Sequence, residues 1–450
     1  MAIPMWMSGQ EPDAVKRRLG EVVRALADAS RASRDALNLV PSENRLSPMA
    51  SSVLGTDFYH RYFFNDGLDP GFWQFRGGQS VGFLETELTK SSLGRLAGAE
   101  LVNVRPISGM SAMVLALSGL GGPPGGHVLC IHPDHGGHYA TGSVARRLGF
   151  GVSLLPVRMG AVDDTELRTA LRTHRPKLVY LDLQNSRQIL DVTAVVEAVR
   201  AESPSTLVHV DCSHSLGLIL GGAHPNPLDD GADTIGGSTH KTFPGPHKGV
   251  LMTRRSELAR AITEAQFTLL SSHHFAETLA LGVAATEFTV FGGAYAAQTV
   301  ANARRFETGL AEAGFDVVLE GGRATKNHQV WVRIGDAAAT DAIAGALYEG
   351  QIRVNVQVDL PGVPGPALRL GVNELTFTGA REESMELLVQ AFMVARDGDA
   401  GKVARLAQDI REAAGRPFWF EPDDGNGLDL AVAALANDHP WEGGPTVAGD

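Results

Sequence analysis

The chain holds seven lysines, at positions 16, 90, 177, 241, 248, 326 and 402. Lys241 stands apart from the others: it sits in GGSTHKTFPGPHKG, between small residues and two glycine–proline breaks. A lysine is ordinarily a solvated surface charge. One that forms an imine with a carbonyl group needs a tight, polar, loop-like setting such as this. Four further pieces decide between the two readings. Asp211 closes the apolar run LVHVD (207–211). A carboxylate there pairs with a protonated pyridine nitrogen, although a lone Asp at a strand end also reads as a turn or helix cap. Ser108 and Gly109, followed by Met110 and Ser111, come directly after the run LVNV and open a helical stretch, where free N–H groups and the helix dipole favour a phosphate. His138, in DHGGHYATG, carries an imidazole that stacks on a flat ring, and its glycines permit close approach. His214 follows Asp211 by three residues and approaches a phenolic oxygen. A Schiff-base lysine, a pyridinium partner, a phosphate cradle and a stacking ring together spell out a site for pyridoxal 5′-phosphate (PLP).

The histidines carry a competing reading. His132, His135 and His138 have HxxHxxH spacing, but they fall in a glycine-bearing loop and lack the i, i+4 geometry of helical zinc motifs. No acid or cysteine cluster completes a coordination sphere, so no metal is expected. His273-His274 read equally well as surface histidines.

The elements that must carry these residues are legible in outline. Runs at 101–104, 127–131, 177–183 and 207–211 are short and apolar, and helical stretches separate them, which predicts a largely parallel sheet covered on both faces. Ligands of such sheets bind beyond the carboxyl ends of the strands, where Ser108, His138, Asp211 and Lys241 lie. Val15, Leu19, Val22 and Leu26 recur at helical spacing, so residues 12–29 are expected to form a packing helix. In HQVWVRI, the alternation of Val330, Val332 and Ile334 predicts a half-buried strand. With 450 residues, two or three domains are expected. The expected layout is an N-terminal helical arm (1–50), a large cofactor domain (51–300), a smaller α/β domain (301–415) and an acidic, Gly- and Pro-rich extension (416–450). The net charge of −12 argues against nucleic acid or an anionic membrane as partner. The two cysteines imply no disulfide framework. Without a secretory pattern or a long apolar run, the cytoplasm is the expected location.

The motifs in order resemble serine hydroxymethyltransferase and its relatives. LVPSEN (39–44) is similar to the family's Ser-Glu-Asn motif, PISGMSA (106–112) to its phosphate loop, and DHGGH (134–138) to its stacking loop. VDCSH (210–214) is similar to its Asp-x-x-His strand end, and STHKTFPGP (238–246) to its Schiff-base loop. ALRLG (367–371) resembles the strand whose arginine binds the substrate carboxylate. The match spans roughly residues 35 to 400. It implies a PLP-dependent enzyme of fold type I, an α/β transferase fold with a large domain and a smaller C-terminal domain. By the same resemblance Lys241 is the Schiff-base residue, Asp211 the pyridine partner and His138 the stacking ring. Ser238, His240 and His214 serve the cofactor, Ser42 the substrate, and Arg369 clamps the α-carboxylate. A homodimer with shared active sites is also implied.

The departures concern the folate side. Where the family has its Tyr-Ala-Glu segment, this chain has Tyr62-Phe63-Phe64. The tyrosine pair before Gly77-Gly78 is Phe75-Arg76. LLSSHHF (269–275) replaces the partner-facing phosphate loop and puts Ser272 and His273 there. Gln184 stands for a serine near the cofactor, and His247 for an arginine. Tyr62, Phe64 and Arg76 are therefore expected to line the substrate side. PLP residues kept with folate residues altered resemble the folate-independent L-threonine transaldolases and aldolases, which cleave threonine to acetaldehyde and pass the glycyl carbon to another aldehyde. Alternative readings are a hydroxymethyltransferase of serine or α-methylserine with tetrahydrofolate, a PLP aminotransferase, racemase or β-elimination enzyme on the same fold, and a non-catalytic binding protein, against which the retained Lys241, Asp211, His138 and Arg369 argue.

Overall fold

The computed structural model describes residues 12–63, 75–270, 273–421 and 435. Seven strands build the main sheet: β1 (Leu101–Asn103), β2 (His127–Ile131), β3 (Gly151–Leu155), β4 (Leu178–Asp182), β5 (Leu207–Asp211), β6 (Thr234–Ser238) and β7 (Gly249–Thr253). Their spatial order is β1-β7-β6-β5-β4-β2-β3. β7 runs antiparallel to both its neighbours, while the β6-β5-β4-β2-β3 pairings are parallel. The near-continuous apolar runs have the physical cause expected of them: both faces of the sheet are covered. Val179 and Leu181 of β4 join one core cluster, while Leu178 and Tyr180 join the other. Every strand parallel to β5 delivers its carboxyl end to the same edge, which collects the candidate site.

A second sheet of four strands follows: β8 (Asp316–Val317), β9 (Gln329–Arg333), β10 (Asn355–Gln357) and β11 (Ala367–Gly371), in the order β8-β9-β11-β10. It has its own apolar core, to which Leu37 and Leu39 of the N-terminal segment contribute. β9 is not half-buried: Gln329 is 0% and Trp331 3% exposed, because Gln329 lies against Gln184 of a main-sheet loop and Trp331 is covered by Leu360 and Val363 of its own sheet's loop and by Arg187.

Three helices matter for the site. α1 (Pro12–Asp35) forms where amphipathic spacing predicts it, yet none of its residues is buried, so it does not pack within its own chain as expected. α2 (Gly109–Leu120) begins at the Ser108 cap. α3 (Phe275–Glu312) is one unbroken helix of 38 residues, and the expected boundary near residue 300 falls inside it. It is long and apolar enough to cross a membrane, but its apolar stretch is largely buried in the protein, feeding both cores. The extension packs where it starts: Phe418 is buried in the main core, with Trp419 against it. Its later part lies outside the described residues, apart from Leu435, which touches a small cluster around Phe63 and Phe275.

Candidate active site

Lys241 lies three residues past β6, and two asparagines hold its backbone. Asn44 Nδ2 donates to the Lys241 carbonyl at 2.6 Å and Asn373 Nδ2 at 3.2 Å. Tyr295 of α3 donates its hydroxyl to the next carbonyl, that of Thr242, at 2.8 Å. The loop is thus tied to the N-terminal strap, the second sheet's side and the long helix, and only the side chain of Lys241 is left free to move. Its amine lies 3.4 Å from His214 Nε2. Burial, resisted by the charge of Asp211, pulls the Lys241 ammonium down to about 8.

At the end of β5, Asp211 Oδ1 accepts from the Ser213 N–H (2.9 Å) and Oδ2 from the Tyr180 hydroxyl (2.7 Å). Beside it, β4 ends in Asp182, which the parallel register pairs directly with Asp211. Asp182 is fully enclosed, and burial, with Asp211 adding to it, raises its carboxyl to about 8 against the Thr141 hydrogen bond. Asp182 therefore keeps its proton at neutral pH. Neither Tyr180 nor Asp182 was singled out from sequence, although a tyrosine and an acid inside KLVYLDL are the visible signal.

His214 is 4% exposed. Burial first, then the charges of Lys241 and Arg369, hold it far below the ordinary imidazole range, so it is neutral. Its Nε2 faces the Lys241 amine and Arg369 Nη2 (3.3 Å), both donors, so Nε2 accepts and the proton sits on Nδ1. That Nδ1 is buried without a partner. The ring stacks on His328, with centroids 5.7 Å apart. His138 is also shifted down, by burial, and its Nδ1 accepts the Ala140 N–H at 3.2 Å, which leaves Nε2 as the donor edge.

Arg369 of β11 is 3% exposed and reaches Gln329 Oε1 (3.0 Å) and the Gln184 carbonyl (2.8 Å). No carboxylate pairs with it among the described residues. Burial draws it down to about 10, yet it remains a cation. Ser42 lies in the strap between Pro41 and Asn44, and Pro41 crosses closely over Gly371 of β11, where a side chain would stand 2.5 Å from the Pro41 Cα.

At the other end, Ser108 caps α2: its Oγ accepts the Ser111 N–H while Ser111 Oγ receives the Ser108 N–H. Gly109 abuts Ser238, so that an added Cβ would lie 2.1 Å from Ser238 Oγ, and no larger residue fits. Met110 is exposed. His240 stacks face to face on His247, with centroids 3.8 Å apart.

The structure thus gathers Lys241, Asp211, His214, Arg369 and Gln184 around one point, with His138 facing Asp211 and Lys241 electrostatically. It does not bring Tyr62, Arg76 or His273 into hydrogen-bonding contact with them. Tyr62 is half exposed against Phe75, and Arg76 is exposed. His273 is buried between Glu85 (3.2 Å) and Arg105 (3.0 Å). Phe64 and Ser272 lie outside the described residues.

Comparison with known proteins gives the family. The serine hydroxymethyltransferase family model matches residues 15–392. An L-threonine:uridine-5′-aldehyde transaldolase from a Streptomyces species is 59% identical over 405 residues, covering 90% of this chain and 98% of the relative. A serine hydroxymethyltransferase from Methanothermobacter thermautotrophicus is 34% identical, covering 78% of this chain and 83% of its own length. Among solved structures, the L-threonine transaldolase of Pseudomonas fluorescens superposes with a TM-score of 0.81 at 28% identity, over 94% of this chain and 99% of that one. The chain belongs to the serine hydroxymethyltransferase family, with the fold-type-I architecture of PLP enzymes.

Proposed function

We propose that this chain is a PLP-dependent, folate-independent L-threonine transaldolase of the cytoplasm. In this reading it works as a homodimer and takes a nucleoside 5′-aldehyde of the uridine type as acceptor. The observation that carries the reading is an amine (Lys241) and an uncompensated guanidinium (Arg369) flanking one neutral imidazole (His214), in a chain 59% identical to proteins of that activity. The residues present fit the cofactor. Lys241 would hold its aldehyde carbon, Asp211 its pyridine nitrogen, His138 its ring face, the α2 N-terminus with Ser108, Gly109 and Ser238 its phosphate, and His214, which lies beside the Lys241 amine, its phenolic oxygen. Bound there, PLP supplies the electron sink that lets a Cα carbanion form.

The chain's own residues do the rest. Arg369 takes the α-carboxylate of threonine, since a planar fork of donors matches two carboxylate oxygens. Asp211, kept in place by Tyr180 and the Ser213 N–H, holds a positive charge opposite itself. The Cα–Cβ bond of threonine breaks, the β-hydroxyl loses its proton, and acetaldehyde leaves. The electron pair left on Cα then attacks the acceptor carbonyl, and the new alkoxide takes up a proton. His138 presents Nε2–H as a donor, suited to that last transfer. Acetaldehyde needs no carrier, unlike the formaldehyde released from serine, which tetrahydrofolate accepts.

The test is purified holoenzyme with threonine and uridine-5′-aldehyde, assayed for acetaldehyde and a new β-hydroxy-α-amino acid without folate. Product formed only from serine with tetrahydrofolate overturns the reading in favour of a hydroxymethyltransferase.

A further inference from the structure

The guanidinium of Arg369 is held along one edge by two neutral oxygens. Its Nε donates to Gln329 Oε1 at 3.0 Å, and its Nη2 donates to the Gln184 carbonyl at 2.8 Å. The two acceptors are themselves joined, because Gln329 Nε2 donates to the same Gln184 carbonyl at 3.0 Å. A closed ring results, in which an amide oxygen and a backbone oxygen occupy the places where a carboxylate's two oxygens would sit in an arginine–carboxylate fork. The orientation of the amide is not free. Trp331, two residues along β9 on the same face, donates Nε1–H to Gln329 Oε1 at 3.1 Å, which fixes oxygen towards Arg369 and nitrogen towards Gln184. Gln329 is wholly buried, Trp331 is 3% exposed, and the register sets Trp331 opposite Arg369. The Nη1 edge of Arg369 makes no hydrogen bond among the described residues.

We propose that Gln329 is the positioning residue of amino-acid carboxylate recognition: locked by Trp331, its carboxamide fixes the plane of Arg369 while adding no charge, so that the full cationic charge is kept for the substrate. This rests on the reading of Arg369 as the carboxylate clamp. A leucine at 329 would leave Arg369 Nε and Trp331 Nε1 without acceptors. A glutamate would keep the shape and the hydrogen bond to Arg369 but lose the donor to the Gln184 carbonyl, and it would neutralise the guanidinium from inside and set a like charge against the incoming carboxylate. The two substitutions therefore separate orientation from charge.

The experiment measures dissociation constants of threonine and glycine by the change in cofactor absorbance of the holoenzyme, together with KM, kcat and Tm, for Gln329→Leu, Gln329→Glu, Trp331→Phe and Arg369→Lys. Gln329→Glu is expected to weaken amino-acid binding about 100-fold while leaving kcat within roughly threefold and Tm little changed, since the buried arginine gains a partner while the Gln184 carbonyl loses a donor. Gln329→Leu is expected to raise KM about tenfold, and Trp331→Phe by a smaller factor, because the amide is then free to turn. A merely structural glutamine would lower Tm in every variant and leave the ratio of KM to kcat alone. If Gln329→Glu is folded and binds threonine within twofold of the parent while Arg369→Lys binds it poorly, Gln329 is not the positioning residue. If Arg369→Lys itself binds threonine normally, the clamp reading fails, and this inference fails with it.

Discussion

In the proposed reaction, recognition turns on Arg369 and chemistry on Asp211, and neither makes an ion pair with an oppositely charged side chain among the described residues. Arg369 is surrounded by an amide, a carbonyl and a neutral imidazole. Replacing it by lysine keeps the charge but loses the planar fork and the ring to Gln329 and Gln184, so Arg369→Lys is expected to raise threonine KM about 10- to 100-fold. Steady-state kinetics check this, and an unchanged KM would hand the carboxylate to another arginine, with Arg76 the first to test. Asp211 receives two donors, which orient its carboxyl group for the pyridine nitrogen of the proposed cofactor. In Asp211→Asn the cofactor stays measurable by absorbance. Turnover is expected to fall about 100-fold, the equivalent of ~3 kcal/mol for one lost charge pair in a desolvated site. Parent-like turnover would remove Asp211 from the site.

At the scale of elements, the parallel pairing of β4 with β5 puts two acids, Asp182 and Asp211, side by side at one edge. The Asp182 carboxyl is raised to about 8, so between the ordinary carboxylate range and about 8 the folded protein keeps a proton that the unfolded chain has lost. Stability is therefore lost as pH rises through that window and levels off above it. Asn resembles the protonated acid and does not titrate. Asp182→Asn is thus expected to raise Tm by about 2 °C at pH 8, with the difference shrinking towards pH 5. A gap that is constant with pH would mean that Asp182 is already ionised in the fold. The same elements show what could be read beforehand. The main-sheet strands were visible because burial on both faces demands unbroken apolar runs, and the site residues because strand ends in such a sheet carry ligands. β9 misled: alternation of Val330, Val332 and Ile334 marks one buried face, and nothing local tells that Gln329 and Trp331 are covered too, the first by a loop from the other sheet and the second mainly by Leu360 and Val363. The boundary at 300 misled for a related reason, since a helix serving two cores has no composition break where it passes from one to the other.

At the scale of the molecule, α1 presents an apolar stripe without a surface to receive it. Leu19, Val22, Val23 and Leu26 recur at i, i+3, i+4 and i+7, and are 57%, 41%, 61% and 65% exposed. A 24-residue helix, ~36 Å long, is marginal alone in water. Its exposed pairs of Lys16 with Asp13, Arg18 with Glu21 and Arg31 with Asp28 add only a few tenths of a kcal/mol each. The stripe needs cover, and in the proposed homodimer the occupant is a second copy, since the family resemblance implies sites built from two subunits. The same reading gives a place to Tyr62 and Arg76, which are exposed in their own chain and would serve the site of the partner, whereas His273 is buried against Glu85 and Arg105. Charging the stripe should then do two things together. In Leu19→Glu with Leu26→Glu, sedimentation is expected to show a shift from dimer towards monomer. Transaldol activity is expected to fall in proportion to the dimer lost, because each site loses residues it does not itself contain, and raising protein concentration should restore both. A double variant that stays dimeric and fully active would show that α1 is not what joins the two chains.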